Sequence, residues 1–174
     1  MPNLIEDSRN KIGHHRLKNE YWEAEEVGVF RCALAVGDYA RPPRVSVDTK
    51  ADIYELAMDI DQEHERFRNE MIRARDMGTL LVILVENGDG VADLPGLAAW
   101  SEPDAHFAAR KQKSKGKVKR RVDGSRLAKA CATMQSRYGC RFEFCAPEEA
   151  GRRVLELLDG KGGRYDHPEE EAPR

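Results

Sequence analysis

An aspartate and a lysine stand two residues apart in the stretch 45–50 (VSVDTK). Alternate side chains of a β-strand point to the same face, so a strand here would place Asp48 and Lys50 together. A second acid, Asp38, lies just upstream in the turn-like Gly37-Asp38-Tyr39. Two carboxylates that can share a divalent metal, beside a lysine, are the minimum needed to hydrolyse a phosphodiester. These residues lead to the hypothesis of a metal-dependent nuclease, although the same spacing also occurs by chance in exposed strands.

The chain has 174 residues, enough for about one domain with a proper hydrophobic core. We expect this domain to cover residues 1–160, and we expect the Gly-, Pro- and acid-rich residues 161–174 to be a disordered acidic tail. No apolar run is long enough to span a membrane, and the N-terminal residues lack the apolar stretch of a signal peptide. The four cysteines show no CxxC pairing. The composition therefore predicts a cytoplasmic protein with reduced thiols and no membrane contact.

Positive charge is concentrated in one segment, residues 110–121 (RKQKSKGKVKRR), which has eight basic residues and no acid in a chain of net charge −2. The eight cations are Arg110, Lys111, Lys113, Lys115, Lys117, Lys119, Arg120 and Arg121. They predict contact with a nucleic-acid backbone, without base readout because no aromatic residues are interleaved. Since apolar periodicity is absent, we expect a flexible loop at about residues 108–123. The alternative is a soluble connector without a ligand.

The hydrophobic pattern indicates strands near Leu4–Asp7 and Val29–Val36, and a fully buried strand at Leu80–Val85. A single amphipathic stripe predicts one long helix from Ile53 to Ala74. Strand, helix and strand in this order imply a right-handed crossover and parallel pairing. Glu86, which closes the buried strand, should therefore lie near the same end as Lys50.

Four short motifs make the chain, from Asp7 to about Leu158, resemble a nuclease domain of the XPF type, in the PD-(D/E)xK superfamily. The motifs are Asp7-Ser8-Arg9, Gly37-Asp38-Tyr39, Val47-Asp48-Thr49-Lys50 and Leu84-Val85-Glu86. The pattern His64-x-Arg66-Phe67-x-x-Glu70 is closest to short stand-alone members found on phages and prophages. The resemblance implies an α/β, restriction-endonuclease-like fold, in which a central mixed β-sheet is flanked by helices.

This sequence departs from the family pattern at three positions. Asn10 replaces the glutamate of D-x-R-E, and Thr49 replaces the arginine that usually precedes the lysine. Tyr54 stands where eukaryotic members carry an aspartate four residues after the lysine. The acids and the lysine remain, so we expect activity.

Asp38 and Asp48 are the expected ligands of Mg²⁺ or Mn²⁺, and the backbone carbonyl of Thr49 could supply a further oxygen. Lys50 would orient the attacking water or stabilise the charge on the phosphate. By resemblance, Asp7 lies near the metal and Arg9 on the phosphate, and both are assigned to the catalytic set. For Arg9, a local salt bridge is an equally good interpretation.

Two further acids are weaker candidates. Glu70 lies on a helix face that could point toward the site. Glu86 could equally well only close its strand, as a charged residue at a strand end often does.

The resemblance implies a structure-specific DNA endonuclease that cuts near flaps, forks or junctions in DNA repair or recombination. XPF-type domains often work as dimers, so a homodimer is a possible assembly. The alternative is a catalytically impaired DNA-binding or regulatory module that keeps the fold. A sequence-specific restriction enzyme ranks last, since nothing resembles a specificity domain.

Overall fold

The computed structural model describes residues 3–13, 15–41 and 45–160. A six-stranded mixed sheet forms its centre, with the strand order β2-β1-β3-β4-β5-β6. The strands are β1 (Asn3–Asp7), β2 (Gly28–Cys32), β3 (Tyr39–Arg41), β4 (Val45–Lys50), β5 (Leu80–Glu86) and β6 (Arg141–Cys145). Strand β3 runs antiparallel to both of its neighbours, and the other pairs are parallel. The predicted α/β class with a mixed sheet is confirmed.

Helices cover both faces of this sheet. They are α1 (Arg16–Ala24), α2 (Ile53–Asp61), α3 (His64–Asp76), α4 (Leu94–Ala99), α5 (Asp104–Lys113), α6 (Gly124–Tyr138) and α7 (Ala150–Leu158). Helices α1 and α7 pack with one face, where Trp22 and Val154 meet Val47 of β4. Helices α2, α3 and α6 pack with the other face, where Leu56 and Phe67 belong to the same apolar cluster. The result is a three-layer arrangement of helix, sheet and helix.

Strands β4 and β5 are buried on both faces. In β5, Val82 and Leu84 belong to the cluster beneath α1 and α7, and Ile83 and Val85 belong to the opposite cluster. This arrangement confirms the fully buried strand predicted from its apolar run. The polar face of β4 is also largely covered, because Asp59 of α2 and Phe67 of α3 contact Lys50. Asp48 and Lys50 are therefore mostly buried.

The predicted single helix from Ile53 to Ala74 is wrong in one respect, because the chain forms two helices with a break after Asp61. The break falls where the apolar stripe is weakest: between Ile60 and Phe67 its only member is His64, and the structure leaves His64 exposed. Without an apolar side chain to anchor that turn, the two helices separate.

The expected strand Val29–Val36 ends at Cys32, and the three-residue strand β3 was missed. A three-residue strand is too short for alternation to be recognised. The turn before β3 depends on Gly37, which has a φ of 73° and whose Cβ, if present, would lie 2.4 Å from the Ser46 hydroxyl.

The flexible loop expected at about residues 108–123 is corrected in its first part, because α5 continues to Lys113. Three cations in the last turn of α5 favour the helix, since they lie next to the negative end of its dipole. Residues 161–174, expected to be a disordered tail, lie outside the described residues. In the described part of the chain, no helix is long and apolar enough to cross a membrane.

Candidate active site

A polar cleft of about 410 Å³ opens at the carboxyl ends of β4 and β5. Its charged lining includes Asp38, Asp48, Lys50, Glu86, Lys18 and Arg66. Because β4 and β5 are parallel and Lys50 pairs with Val85, the ends of these strands meet at one edge of the sheet. The cleft therefore brings together residues that the sequence separates by more than 60 positions.

Strand β4 positions the central pair of side chains. Asp48 and Lys50 are 7% and 5% exposed. Lys50 Nζ lies 2.7 Å from Asp48 Oδ2. The same ammonium lies 5.1 Å from the centre of the Phe67 ring, so an aromatic face supports it from α3.

Sequence reasoning missed a third member of this group, Asp59 of α2. Its Oδ2 atom lies 2.6 Å from Lys50 Nζ, and its Oδ1 atom lies 3.2 Å from Arg66 Nη2. Asp59 is only 5% exposed. The signal was present in the sequence, because Asp59 follows Leu56 by three positions and so interrupts the buried stripe of the helix with a charge.

Burial is the main cause that raises the pKa of Asp48 to about 8, and the charges of Asp38 and Glu70 act in the same direction. Lys50 opposes this rise. Burial alone would lower the pKa of Lys50, but attraction to Asp48 and Asp59 outweighs it and raises that pKa, so the ammonium stays protonated. A cation bound beside Asp48 would oppose the effects of burial and of the neighbouring acids, and so would favour the ionised carboxylate.

Asp38 is held beside β4 by Thr49. Its Oδ2 atom accepts hydrogen bonds from the Thr49 backbone N–H at 2.8 Å and from the Thr49 hydroxyl at 2.7 Å. The threonine that replaces the arginine of the family pattern thus orients one of the two predicted metal ligands. Glu70 Oε1 accepts a hydrogen bond of 2.9 Å from the Gly37 N–H, so α3 holds the turn that carries Asp38.

Asp7 and Arg9 are paired with each other. Arg9 Nε donates to Asp7 Oδ2 at 2.9 Å, and Arg9 Nη2 also donates to the Leu34 carbonyl at 2.6 Å. The hydrogen bond from Arg9 lowers the pKa of the buried Asp7 carboxyl. The backbone N–H of Asp7 donates to the Asp38 carbonyl at 2.8 Å, so the pair lies next to the turn that carries Asp38. Neither side chain is among the described residues that line the cleft.

Glu86 forms a buried ion pair with Lys18 of α1, in the wall of the same cleft. Sequence reasoning missed Lys18. The structure buries Lys18 and Trp22, four positions apart, as the inner face of α1. A lysine one turn before a large aromatic residue was the available signal, but a lysine is seldom buried unless it is paired.

The basic segment divides into two groups. Arg110 and Arg121 make internal ion pairs, with Glu102 and Asp104 respectively. The other six are exposed, and no ion pair to them is found among the described residues. They are Lys111, Lys113, Lys115, Lys117, Lys119 and Arg120.

Within the described residues, no three His, Cys, Asp or Glu side chains are grouped closely enough to hold a metal ion. Asp38 and Asp48 nevertheless both line the open cleft. Carboxylate oxygens suit Mg²⁺ and Mn²⁺, and Mg²⁺ is commonly held by one or two carboxylates together with waters and substrate phosphates. The donor set therefore fits a hydrated divalent cation and not a cage built from protein alone.

No family model and no curated protein matches the chain. Among solved structures, XPF from Aeropyrum pernix superimposes with a TM-score of 0.61 at 18% identity, over 94% of this chain and 66% of that one. This chain has an XPF-like fold. The Aeropyrum pernix XPF in complex with DNA gives a TM-score of 0.60 at 18% identity, over 92% of this chain. The chain spans 66% of the length of either XPF chain, just under two thirds.

Proposed function

We propose that this protein is a metal-dependent, structure-specific DNA endonuclease, similar to the short stand-alone XPF-type nucleases of phages and prophages. It would hydrolyse one strand near a flap, fork or junction during DNA repair or recombination. The observation that supports this function best is the joint presence of Asp38, Asp48 and Lys50 in one open cleft at the end of β4. The XPF-like fold supports the same assignment.

In this proposal Asp38, Asp48 and the Thr49 carbonyl hold Mg²⁺ or Mn²⁺. The bound ion would lower the pKa of a water and stabilise negative charge on the scissile phosphate. Thr49 keeps Asp38 oriented through its N–H and hydroxyl groups. Lys50 contributes a fixed positive charge, which Asp48 and Asp59 hold in place before substrate arrives.

Although Arg9 is paired with Asp7, 68% of its side chain is accessible to solvent. We propose that Arg9 contacts a substrate phosphate and that Asp7 orients it. This changes the expected role of Asp7 from metal ligand to support of Arg9, since its carboxylate already accepts hydrogen bonds from that guanidinium. Glu70 supports the turn at Gly37, and Glu86 holds Lys18 in the cleft.

The proposed function is tested by a cleavage panel with flaps, forks, four-way junctions and linear duplex, each with Mg²⁺ or Mn²⁺. We expect nicking of branched substrates only, and only with metal. Asp48→Asn should lower the single-turnover rate by about 10³-fold or more, because it removes a metal ligand while keeping the shape of the side chain. Asp61→Asn is the matched control, since Asp61 lies on the outer face of α2 and pairs with Arg126.

A non-catalytic DNA-binding module is the second candidate. It is favoured by the ion pairs that already occupy Lys50 on both sides, with Asp48 and with Asp59. Calorimetric titration with Mn²⁺ separates the two functions. Binding of Mn²⁺ that Asp48→Asn abolishes supports the nuclease, whereas no Mn²⁺ binding and no cleavage of any branched substrate supports the module.

A further inference from the structure

One buried carboxylate, that of Glu102, holds both ends of the basic segment. Its side chain is 0% exposed. Arg110 donates through Nε to Glu102 Oε1 and through Nη2 to Oε2, both at 2.7 Å. The Val122 N–H also donates to Oε2, at 2.8 Å. Residues 110 and 122 are therefore attached to the same group, and the chain between them is closed into a loop.

Arg121 strengthens this closure. Its Nη1 atom donates to the Glu102 carbonyl at 2.8 Å, and its Nη2 atom donates to Asp104 Oδ1 at 2.5 Å. Its guanidinium also lies 4.8 Å from the centre of the Phe107 ring. Donors of Arg110 and Arg121 are thus already engaged by protein acceptors, those of Arg110 at the buried Glu102 and those of Arg121 partly at the protein surface.

The part of the segment between these two arginines is shaped by its own hydrogen bonds. The Ser114 hydroxyl donates to the Lys111 carbonyl at 3.0 Å and accepts from the Val118 N–H at 3.1 Å. The Gly116 N–H donates to the Lys111 carbonyl at 2.8 Å. These bonds end α5 in a tight turn and give the exposed cations a defined backbone to extend from.

Tyr54 connects this loop to the candidate active site. The Arg110 guanidinium lies 4.9 Å from the centre of the Tyr54 ring, and the Tyr54 hydroxyl lies 2.9 Å from His106 Nδ1. Tyr54 belongs to the first turn of α2, four residues after Lys50. Arg110, where the loop begins, therefore packs against α2, the helix that directly follows β4.

We infer that residues 111–120 form a second contact site for the DNA backbone, positioned by Glu102 relative to the active site. The six exposed cations would bind phosphates, whereas Arg110 and Arg121 would hold the loop and bind none. This inference rests on the proposed function and deepens it, because it assigns the loop to a stretch of DNA away from the scissile bond. It differs from the expectation that all eight cations of the segment contact DNA, because it assigns that contact to six of them.

The test is the salt dependence of DNA binding, measured by fluorescence anisotropy with a labelled fork in EDTA, where a metal-dependent enzyme does not cut. Lys111→Gln/Lys113→Gln and Lys117→Gln/Lys119→Gln should each reduce the slope of log K against log salt by up to about 1.8, at about 0.9 for each lost phosphate contact. The matched control is Lys129→Gln/Arg137→Gln, which removes two exposed cations from α6. An equal slope in wild type and in both loop variants would overturn the inference.

Glu102→Gln tests the positioning role, because a purely electrostatic effect and a loss of positioning would change DNA affinity in opposite directions. Removal of a negative charge near a DNA site should strengthen binding if charge alone mattered. If Glu102 positions the loop, binding should instead weaken several-fold, because the closure at residues 110 and 122 is loosened. Circular dichroism verifies that the variant is folded, and tighter binding by the folded variant would contradict the role.

The two proposals fail in different ways. If the loop variants lose affinity and salt dependence but the wild-type protein cuts no branched DNA with either metal, the nuclease assignment fails and the loop site stands. If wild-type protein cuts forks but the loop variants bind with an unchanged slope, the loop inference fails and the nuclease assignment stands.

Discussion

Lys50 is enclosed by charge and by an aromatic ring. Its ammonium lies 2.7 Å from Asp48, 2.6 Å from Asp59 and 5.1 Å from the Phe67 ring centre. Removal of one partner from a buried charge group is costly because the remaining charge stays out of water. In the proposed site, the second carboxylate partner, Asp59, would keep Lys50 charged and in place if Asp48 binds a metal.

Asp59 should therefore contribute to the rate of cleavage without contacting substrate. We expect Asp59→Asn to lower the single-turnover rate by about tenfold, because Lys50 loses one of the two charges that fix it. The dissociation constant for a forked DNA should stay within about twofold. Rapid-quench measurement at saturating enzyme separates the two quantities.

Asp61→Asn serves again as the comparison, since Asp61 is an exposed aspartate of the same helix, two residues after the buried Asp59. A rate for Asp59→Asn equal to that of wild type would show that Asp48 alone holds Lys50. A loss of DNA affinity as large as the loss of rate would instead assign Asp59 to binding.

At the scale of the elements, the stabilisation that the Glu102 carboxylate gives to the loop it closes depends on pH. Burial alone would raise the pKa of Glu102, but the hydrogen bonds from Arg110 and Val122 outweigh it and lower this pKa below the ordinary value of 4.5. The unfolded chain then binds a proton at higher pH than the folded chain does. The stabilisation is complete above the unfolded pKa and is lost as pH falls through the folded pKa.

We therefore expect the difference in free energy of unfolding between wild type and Glu102→Gln to shrink as pH falls from about 6 to about 3. Urea unfolding at several pH values measures it. Glu148→Gln is the control, because Glu148 is exposed and its substitution should leave the pH profile of the wild type unchanged. A difference that stays constant over this range would show that the Glu102 charge does not stabilise the fold.

At the scale of the whole molecule, the close packing of helices depends on particular glycines. A Cβ at Gly124 would lie 2.3 Å from the Leu97 carbonyl oxygen and 2.5 Å from that of Trp100. Both atoms belong to the backbone, so they cannot move away as a flexible side chain could. The close packing of α6 against α4 therefore requires a residue without a side chain.

Gly124→Ala should lower the free energy of unfolding by about 1–3 kcal/mol, the usual cost of overpacking. Gly88→Ala is the matched control, since a Cβ there would meet nothing within 4 Å. Equal urea midpoints for the two variants would contradict the packing argument. Because no residue of α6 lines the cleft, the proposed metal binding should remain in folded Gly124→Ala.

How far the sequence predicts this molecule depends on the range of the interactions involved. The strand β5 and the parallel pairing of β4 with β5 follow from local patterns and connection rules, and the structure confirms them. The pairing of Lys18 with Glu86 does not follow, because 68 positions separate the two residues. Asp59 and Glu102 lie only nine and eight positions from Lys50 and Arg110, but each pair is joined across a change of element, where hydrophobic periodicity does not predict contacts. The break between α2 and α3 after Asp61 was not predicted, because the spacing of the apolar stripe continues through His64 although that residue is exposed.

The hydrogen bond from Trp22 Nε1 to the Gly151 carbonyl, at 3.0 Å, joins α1 and α7, the first and last helices of the described residues. Helix α1 carries Lys18 into the cleft, yet its packing partner α7 is among the last parts of the described chain to leave the ribosome. All the acids proposed to bind metal are synthesised within the first third of the chain. The wall of the cleft that α1 forms is nevertheless completed only when α7 has been synthesised, so a nascent chain contains its proposed metal ligands well before the cleft is complete.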